Sequence, residues 1–170
     1  DFHQYPEIAR EEYRTAERIE AELCSFGLAT RRVAETGVYA EIKGNGTGDK
    51  TILLRADIDA LPVSEEHQCS YQSKIPGQMH ACGHDAHTAA LLTAAKLLSR
   101  HRDDFGGTVR LVFQPGEEIG YGARVFVDEG CAEGADRCFG IHTASGVQAG
   151  KVVVMPGPNN ASVDWFRVSV

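Results

Sequence analysis

The chain has 170 residues, 42% hydrophobic and 24% charged, which is room for one core and the composition of an ordinary globular domain. Its formal net charge of -7 comes with scattered Lys and Arg and no basic stripe, so a nucleic-acid partner is not expected. No apolar run nears the roughly 20 residues of a bilayer-spanning helix, and Asp1-Phe2-His3 lacks the layout of a secretory signal; no membrane partner and a cytoplasmic location are expected.

In chain order, Pro6-Glu7 opens a segment to Phe26 in which Ile8, Ala16, Ile19 and Leu23 recur at helical spacing, and Gly27 stops it as a C′ glycine does. Val38 to Lys43 alternates as a strand, meets the turn Gly44 to Asp49, and continues into a mostly buried strand Thr51 to Ala56; the pair reads as a hairpin. Residues 62 to 80 lack periodicity and hold Pro62 and Pro76, a loop that delivers Met79 to His84. Asp85 can cap a helix from Ala86 to about Arg100, with a wide apolar face of Ala89, Ala90, Leu91, Leu92, Ala94, Ala95, Leu97 and Leu98. A turn at Asp103 to Gly107 leads to strand Thr108 to Phe113, a short helix Tyr121 to Glu129 stops at Gly130, and strands follow at Cys138 to His142 and Lys151 to Met155. After Pro156-Gly157-Pro158, Ser162 to Val170 alternates as one more strand. Strand and helix alternate through the middle of the chain, which predicts a layered α/β fold with a mixed sheet.

Cys24, Cys69, Cys82, Cys131 and Cys138 form an odd set with no repeating interval, so reduced thiols are expected rather than a disulfide framework. All but Cys82 read as small buried or half-buried hydrophobes. Cys82 differs through its neighbours, M-H-A-C-G-H-D-A-H-T (Met79 to Thr88), which pack a thiol, imidazoles and a carboxylate into one short segment.

Polar groups also follow the strands. Asp57 and Asp59 come after T-I-L-L-R-A, Glu117 and Glu118 after V-R-L-V-F, and His142 after C-F-G-I. Open α/β sheets place their sites beyond the carboxyl ends of the strands, so adjacent strands would bring these groups into one cavity. Cys82 and His84, two apart on an extended loop, would project to the same side, and a helix N-terminus just beyond them favours the thiolate. A thiolate with imidazole and carboxylate donors suits Zn²⁺, and more oxygen donors suit Mn²⁺, Co²⁺ or Ni²⁺. On extended backbone Glu117 and Glu118 point apart, so one can bind metal while the other serves as general base toward a metal-activated water.

R-A-D-I-D-A-L-P (Arg55 to Pro62), the Met79 to Thr88 segment, Q-P-G-E-E (Gln114 to Glu118), G-I-H (Gly140 to His142) and the opening H-Q-Y-P-E (His3 to Glu7) resemble the amidohydrolase branch of the aminoacylase-type metallopeptidases, family M20. That resemblance implies a zinc-exopeptidase-like α/β/α catalytic domain over 1–160, with 161–170 the first strand of a lid or dimerisation domain. It implies two divalent cations (Zn, Mn, Co or Ni), bridged by Cys82 and bound by His84, Glu118 and His142, with Glu117 as base and Asp59 orienting a ligand; Asp57 is left without a role. The substrate would be a small N-acyl amino acid, and the full-length protein a homodimer. Gly116 stands where the family usually has Ala, and T-A-S-G (Thr143 to Gly146) replaces a more aromatic or proline-containing stretch. The family's chains are longer and carry a last ligand His beyond this segment, so the segment alone is expected to be impaired.

Two rivals stand beside metal-dependent amide hydrolysis. Cys82 as nucleophile with His84 or His87 as base would leave the paired glutamates idle. A single structural zinc closed by Cys82, His84, Glu118 and His142 would leave Glu117 without a task. His87 reads equally as a substrate contact or as a capping or solvent-facing group. No role is expected for His3, His67, His80 and His101, and Trp165 and Phe166 read as core of the next domain.

Overall fold

Helix α1 (Tyr13–Ser25) buries Ala16, Ile19 and Leu23 on one stripe and turns its Glu and Arg residues outward. It starts later than its periodicity predicts. Ile8 is drawn into an isolated bridge with Ala60, and the Glu7 carboxylate accepts the N–H groups of Arg14 and Thr15 at 3.1 and 2.7 Å, supplying from outside the helix the acceptors its first turn lacks. Gly27, at φ +77°, closes the other end in the left-handed conformation. This computed structural model describes residues 1–157 and Val168, so all but Val168 of the strand expected at Ser162 to Val170, the lid boundary and Trp165 and Phe166 lie outside the described residues.

Five strands form one mixed sheet in the order β1-β2-β4-β3-β5: β1 (Thr30–Val33), β2 (Gly37–Lys43), β3 (Gly46–Asp57), β4 (Gly106–Gln114) and β5 (Arg137–Gly140). The expected hairpin of the second and third strands does not exist. β4 inserts between them, antiparallel to β2 and parallel to β3, and the true hairpin joins β2 to β1, through a tight turn with Ala34 and Glu35 at positive φ. Residues 46–49, read as turn, extend β3 instead. β5 pairs parallel with β3, so β4, β3 and β5 lie side by side and end at the same edge of the sheet.

Helix α2 (His84–Arg100) makes the crossover from β3 to β4 and packs with α1 on one face of the sheet, where Leu91, Leu92 and Ala95 meet Ile42, Ile58, Leu111 and Phe113. Its apolar face is narrower than expected: Ala89, Ala90 and Leu97 are exposed. Helix α3 (Gly122–Asp128) covers the opposite face through Phe126, against Val33, Leu53 and Val112, which completes the α/β/α layering. Residues 62–80 are irregular apart from a bridge between Leu61 and Met79 that pins the loop's return.

Lys151 to Met155 is not a strand. Val152, Val153 and Val154 are exposed and pair with nothing among the described residues, so the apolar run has no ladder to join. All five cysteines are free; Cys131 is buried and Cys69 half-buried, but Cys24 and Cys138 lie exposed, against the hydrophobe reading. Among the described residues no helix is long and apolar enough to cross a membrane.

Candidate metal centre

The ends of β4, β3 and β5 and the start of α2 converge on His84. Gly83 precedes the helix at φ +81°, a conformation that favours glycine, and the first helical residue is His84 itself. Asp85 is therefore not the cap; it lies in the first turn and accepts from His3 Nδ1 at 2.8 Å. His84 is fully buried, and its Nδ1 sits 2.9 Å from the carbonyl oxygen of Asp59. A carbonyl only accepts, so Nδ1 carries the proton, and in the neutral ring, the form that can bind a metal, Nε2 keeps its lone pair for something else.

That lone pair faces oxygen. Asp57 Oδ2, Glu118 Oε1 and Glu117 Oε2 lie 3.6, 3.8 and 3.9 Å from His84 Nε2, and among the described residues neither His84 Nε2 nor Glu118 Oε1 has a hydrogen-bond partner although both are buried. Each such orphan costs about 1–3 kcal/mol unless a partner arrives. Two donors at ~2.0–2.3 Å from one cation sit roughly 3.3–4 Å apart, so the spacing around His84 fits a cation held between these atoms. Asp57 is the exception within this ring. Its Oδ2 accepts from Arg55 at 2.8 Å and its Oδ1 from His87 at 2.6 Å, so each oxygen already holds a strong hydrogen bond.

Glu117 and Glu118 do not point apart. Gly116 at φ +58° breaks the strand into a turn, and both carboxylates reach toward the same nitrogen. Their settings still differ. The Glu118 N–H donates to Asp59 Oδ2 at 3.0 Å and its side chain is mostly covered, whereas the Glu117 side chain is 40% exposed. Burial, then the neighbouring Glu118 charge, raises the Glu117 pKa above its ordinary value, which suits a group that must take and return a proton. The turn is anchored from the far side: buried Glu12 accepts the Gly116 N–H at 2.9 Å and the Thr36 hydroxyl at 2.6 Å.

Cys82 and His142 complete the cluster. Cys82 Sγ lies 3.4 Å from His142 Nε2, and Cys82, His84 and His142 form one group whose donor atoms lie within 4.8 Å of one another; His84, Glu117 and Glu118 form a second, and Asp57, His84 and His87 a third. The helix N-terminus does not depress the thiol here. Burial and the charges of Glu118, Asp57 and Glu117 push it up to about 12, a field that a bound cation would reverse.

Sequence reasoning left His87 open and gave Glu12 and Gly83 no role. His87 is buried with both ring nitrogens engaged, so it neither caps nor faces solvent. Its position three residues after His84, on the same helical face, was the available signal. Of the other imidazoles, His67 and His101 are exposed, His3 bridges Asp85 and Glu65, and His80 is buried with neither ring nitrogen bonded among the described residues.

Residues 53–170 match Peptidase family M20/M25/M40. The chain is 46% identical to an N-acetyl-L-cysteine deacetylase of Bacillus subtilis over 99% of its own length and 41% of that protein's. It is 41% identical to an N-acyl-L-amino acid amidohydrolase of Geobacillus stearothermophilus, over 99% of this chain and 46% of that one. The crystal structure of the Bacillus subtilis YXEP protein, described as a dinuclear metal binding peptidase, superposes with a TM-score of 0.82 at 42% identity, over 86% of this chain and 41% of that one. The chain thus spans less than half the length of these relatives.

Proposed function

The chain belongs to peptidase family M20/M25/M40, and from that premise we propose that the protein hydrolyses the amide bond of N-acyl amino acids with a pair of divalent cations. The observation that carries this reading is the buried His84 Nε2, without a hydrogen-bond partner among the described residues, with sulfur, imidazole and carboxylate donors gathered around it. Cys82, His84, Glu118 and His142 would hold the cations. When bound, they supply Lewis acidity, lowering the pKa of a water and polarising the acyl carbonyl. Glu117 accepts the proton of the attacking water and returns it to the departing amine nitrogen. Asp59 fixes His84 through its carbonyl oxygen and the Glu118 backbone through its carboxylate. The names of the Bacillus subtilis and Geobacillus stearothermophilus relatives support the substrate class, and the description of YXEP supports the cation pair.

Four protein ligands under-coordinate two cations, so the 170 residues alone are expected to be impaired. The test is a hydrolysis assay of the full-length protein on a panel of N-acyl amino acids, beside elemental analysis. Two exchangeable metals per chain, with activity lost to chelator and regained with added cation, are expected. One tight zinc per chain without turnover would point to a structural site.

One observation favours a second reading. The Cys82 Sγ to His142 Nε2 contact has the geometry of a thiol and its base. Against it, burial and then the surrounding carboxylates raise the thiol rather than activate it. Activity that survives chelation and dies on alkylation would favour the cysteine nucleophile.

A further inference from the structure

His142 stands on the weakest support of any proposed ligand. It follows β5, the edge strand among the described residues, whose four residues are all exposed there, and it lies in a run, 141–155, that is irregular and almost wholly exposed. Among the described residues, only two side chains outside this run make hydrogen bonds into it. One is Cys82, through its sulfur on His142; the other is His87.

His87 holds the run by its backbone. The Thr143 N–H donates to His87 Nε2 at 2.8 Å, so that nitrogen is the unprotonated acceptor and the proton lies on Nδ1, which donates to Asp57 Oδ1 at 2.6 Å. Asp57 is in turn held by Arg55, and the Thr88 hydroxyl donates to its backbone oxygen. The His87 ring packs edge-on against the His142 ring, with centroids 4.7 Å apart. Thr143 is also fitted against Gly83: a Cβ there would collide with the Thr143 hydroxyl oxygen. The residue after His142 is thus clamped between the helix-starting glycine and His87, one turn further along α2.

We infer that His87 is a positioning residue: held by Asp57, it fixes the Thr143 amide and thereby sets the His142 imidazole opposite Cys82 and His84. Both ring nitrogens of His87 are consumed in this task, so the geometric group of Asp57, His84 and His87 is a support for the metal centre and not a further ligand set. The inference rests on the proposed ligand role of His142.

The test uses the full-length protein, freed of metal and titrated with Co²⁺, whose visible absorption reports thiolate and imidazole binding. Asn at 87 keeps a donor where Nδ1 stands but reaches no further, whereas Gln places an acceptor near the position of Nε2. His87→Asn and His87→Ala are expected to weaken Co²⁺ binding roughly 10–100-fold, the effect of losing a group that orients a ligand. His87→Gln is expected to restore most of that affinity, and the metal-free forms of the Asn and Gln variants are expected to melt together. His87→Asn binding Co²⁺ as tightly as the parent, while His142→Ala loses it, would overturn the positioning role and leave the ligand reading intact. Unchanged affinity in His142→Ala would overturn the ligand reading and this inference with it. Equal loss of affinity in the Asn and Gln variants, each with a lowered melting temperature, would make His87 a packing residue only.

Discussion

On the β3–β4 side of the donor cluster, every group is braced from below. His84 and Asp59 are buried, Asp59 bonds both His84 and the Glu118 amide, and Glu12 holds the turn that carries Glu117. On the β5 side, Cys82 is half-buried, His142 is exposed, and the strand beneath them is the edge of the sheet among the described residues. The first side is preorganised by a core that exists whether or not a cation is present. The second borrows its order from one imidazole and from the cation it is proposed to bind. Loss of a group should therefore cost stability on the first side and metal affinity on the second.

The largest expected effect probes the chemistry that both sides serve. Glu117→Gln keeps the shape and removes the base, and kcat on an N-acyl amino acid should fall about 10²–10⁴-fold. Metal content, read by elemental analysis, should be retained. A variant that keeps most of its activity would deny Glu117 the base's role, and one that loses its metal along with its activity would assign it a ligand's role instead.

Next in size is a stability contrast between the two sides, read by denaturant unfolding of metal-free protein. Glu12→Ala leaves the Gly116 N–H and the Thr36 hydroxyl without their acceptor, at about 1–3 kcal/mol for each buried group. His142→Ala removes an exposed ring and should leave unfolding unchanged. Equal destabilisation by both would erase the distinction.

Gly83→Ala joins the two sides and should fall between them. An L side chain held at φ +81° costs roughly 1–3 kcal/mol, and the new Cβ collides with the Thr143 hydroxyl. Lower stability together with weaker Co²⁺ binding is expected, and loss of stability alone would place Thr143 outside the metal centre.

How much of this was legible in the sequence follows the same division. The β3 and β4 runs and α2 announce themselves by apolar patterning, and the donors stand out because carboxylates, imidazoles and a thiol gather at strand and helix ends. Pairing was not legible. Gly44 to Asp49 looks like a hairpin turn, yet the ladder partner of both flanking strands is β4, more than fifty residues on, and a local pattern carries no record of a strand that arrives later. The mutual aim of Glu117 and Glu118 was hidden because it depends on the Gly116 turn. His87 and Glu12 act on backbone N–H groups distant in sequence, which have no side-chain signature.

The smallest effect is one of pH, and it separates two buried carboxylates. Burial raises the folded pKa of Glu12 above 4.5, only partly offset by its hydrogen bonds from Thr36 and Gly116. For Asp57 burial also raises, but the His87 hydrogen bond and the Arg55 charge outweigh it, and the folded pKa lies below 3.8. Between 4.5 and the raised folded value, the native state binds the Glu12 proton more fully than the unfolded chain does. Its stabilising contribution is therefore complete below 4.5 and is lost as pH rises through the folded pKa. The Asp57 contribution is present above 3.8 and is lost only as pH falls through its depressed value. Unfolding free energies of metal-free parent and Glu12→Gln, measured from pH 4 upward, should differ by an amount that drifts against the parent as pH rises, while Asp57 stays ionised and contributes a constant. A difference that is flat, or that drifts toward the parent, would mean that the donors around Glu12 already hold its carboxylate charged, as His87 and Arg55 hold that of Asp57.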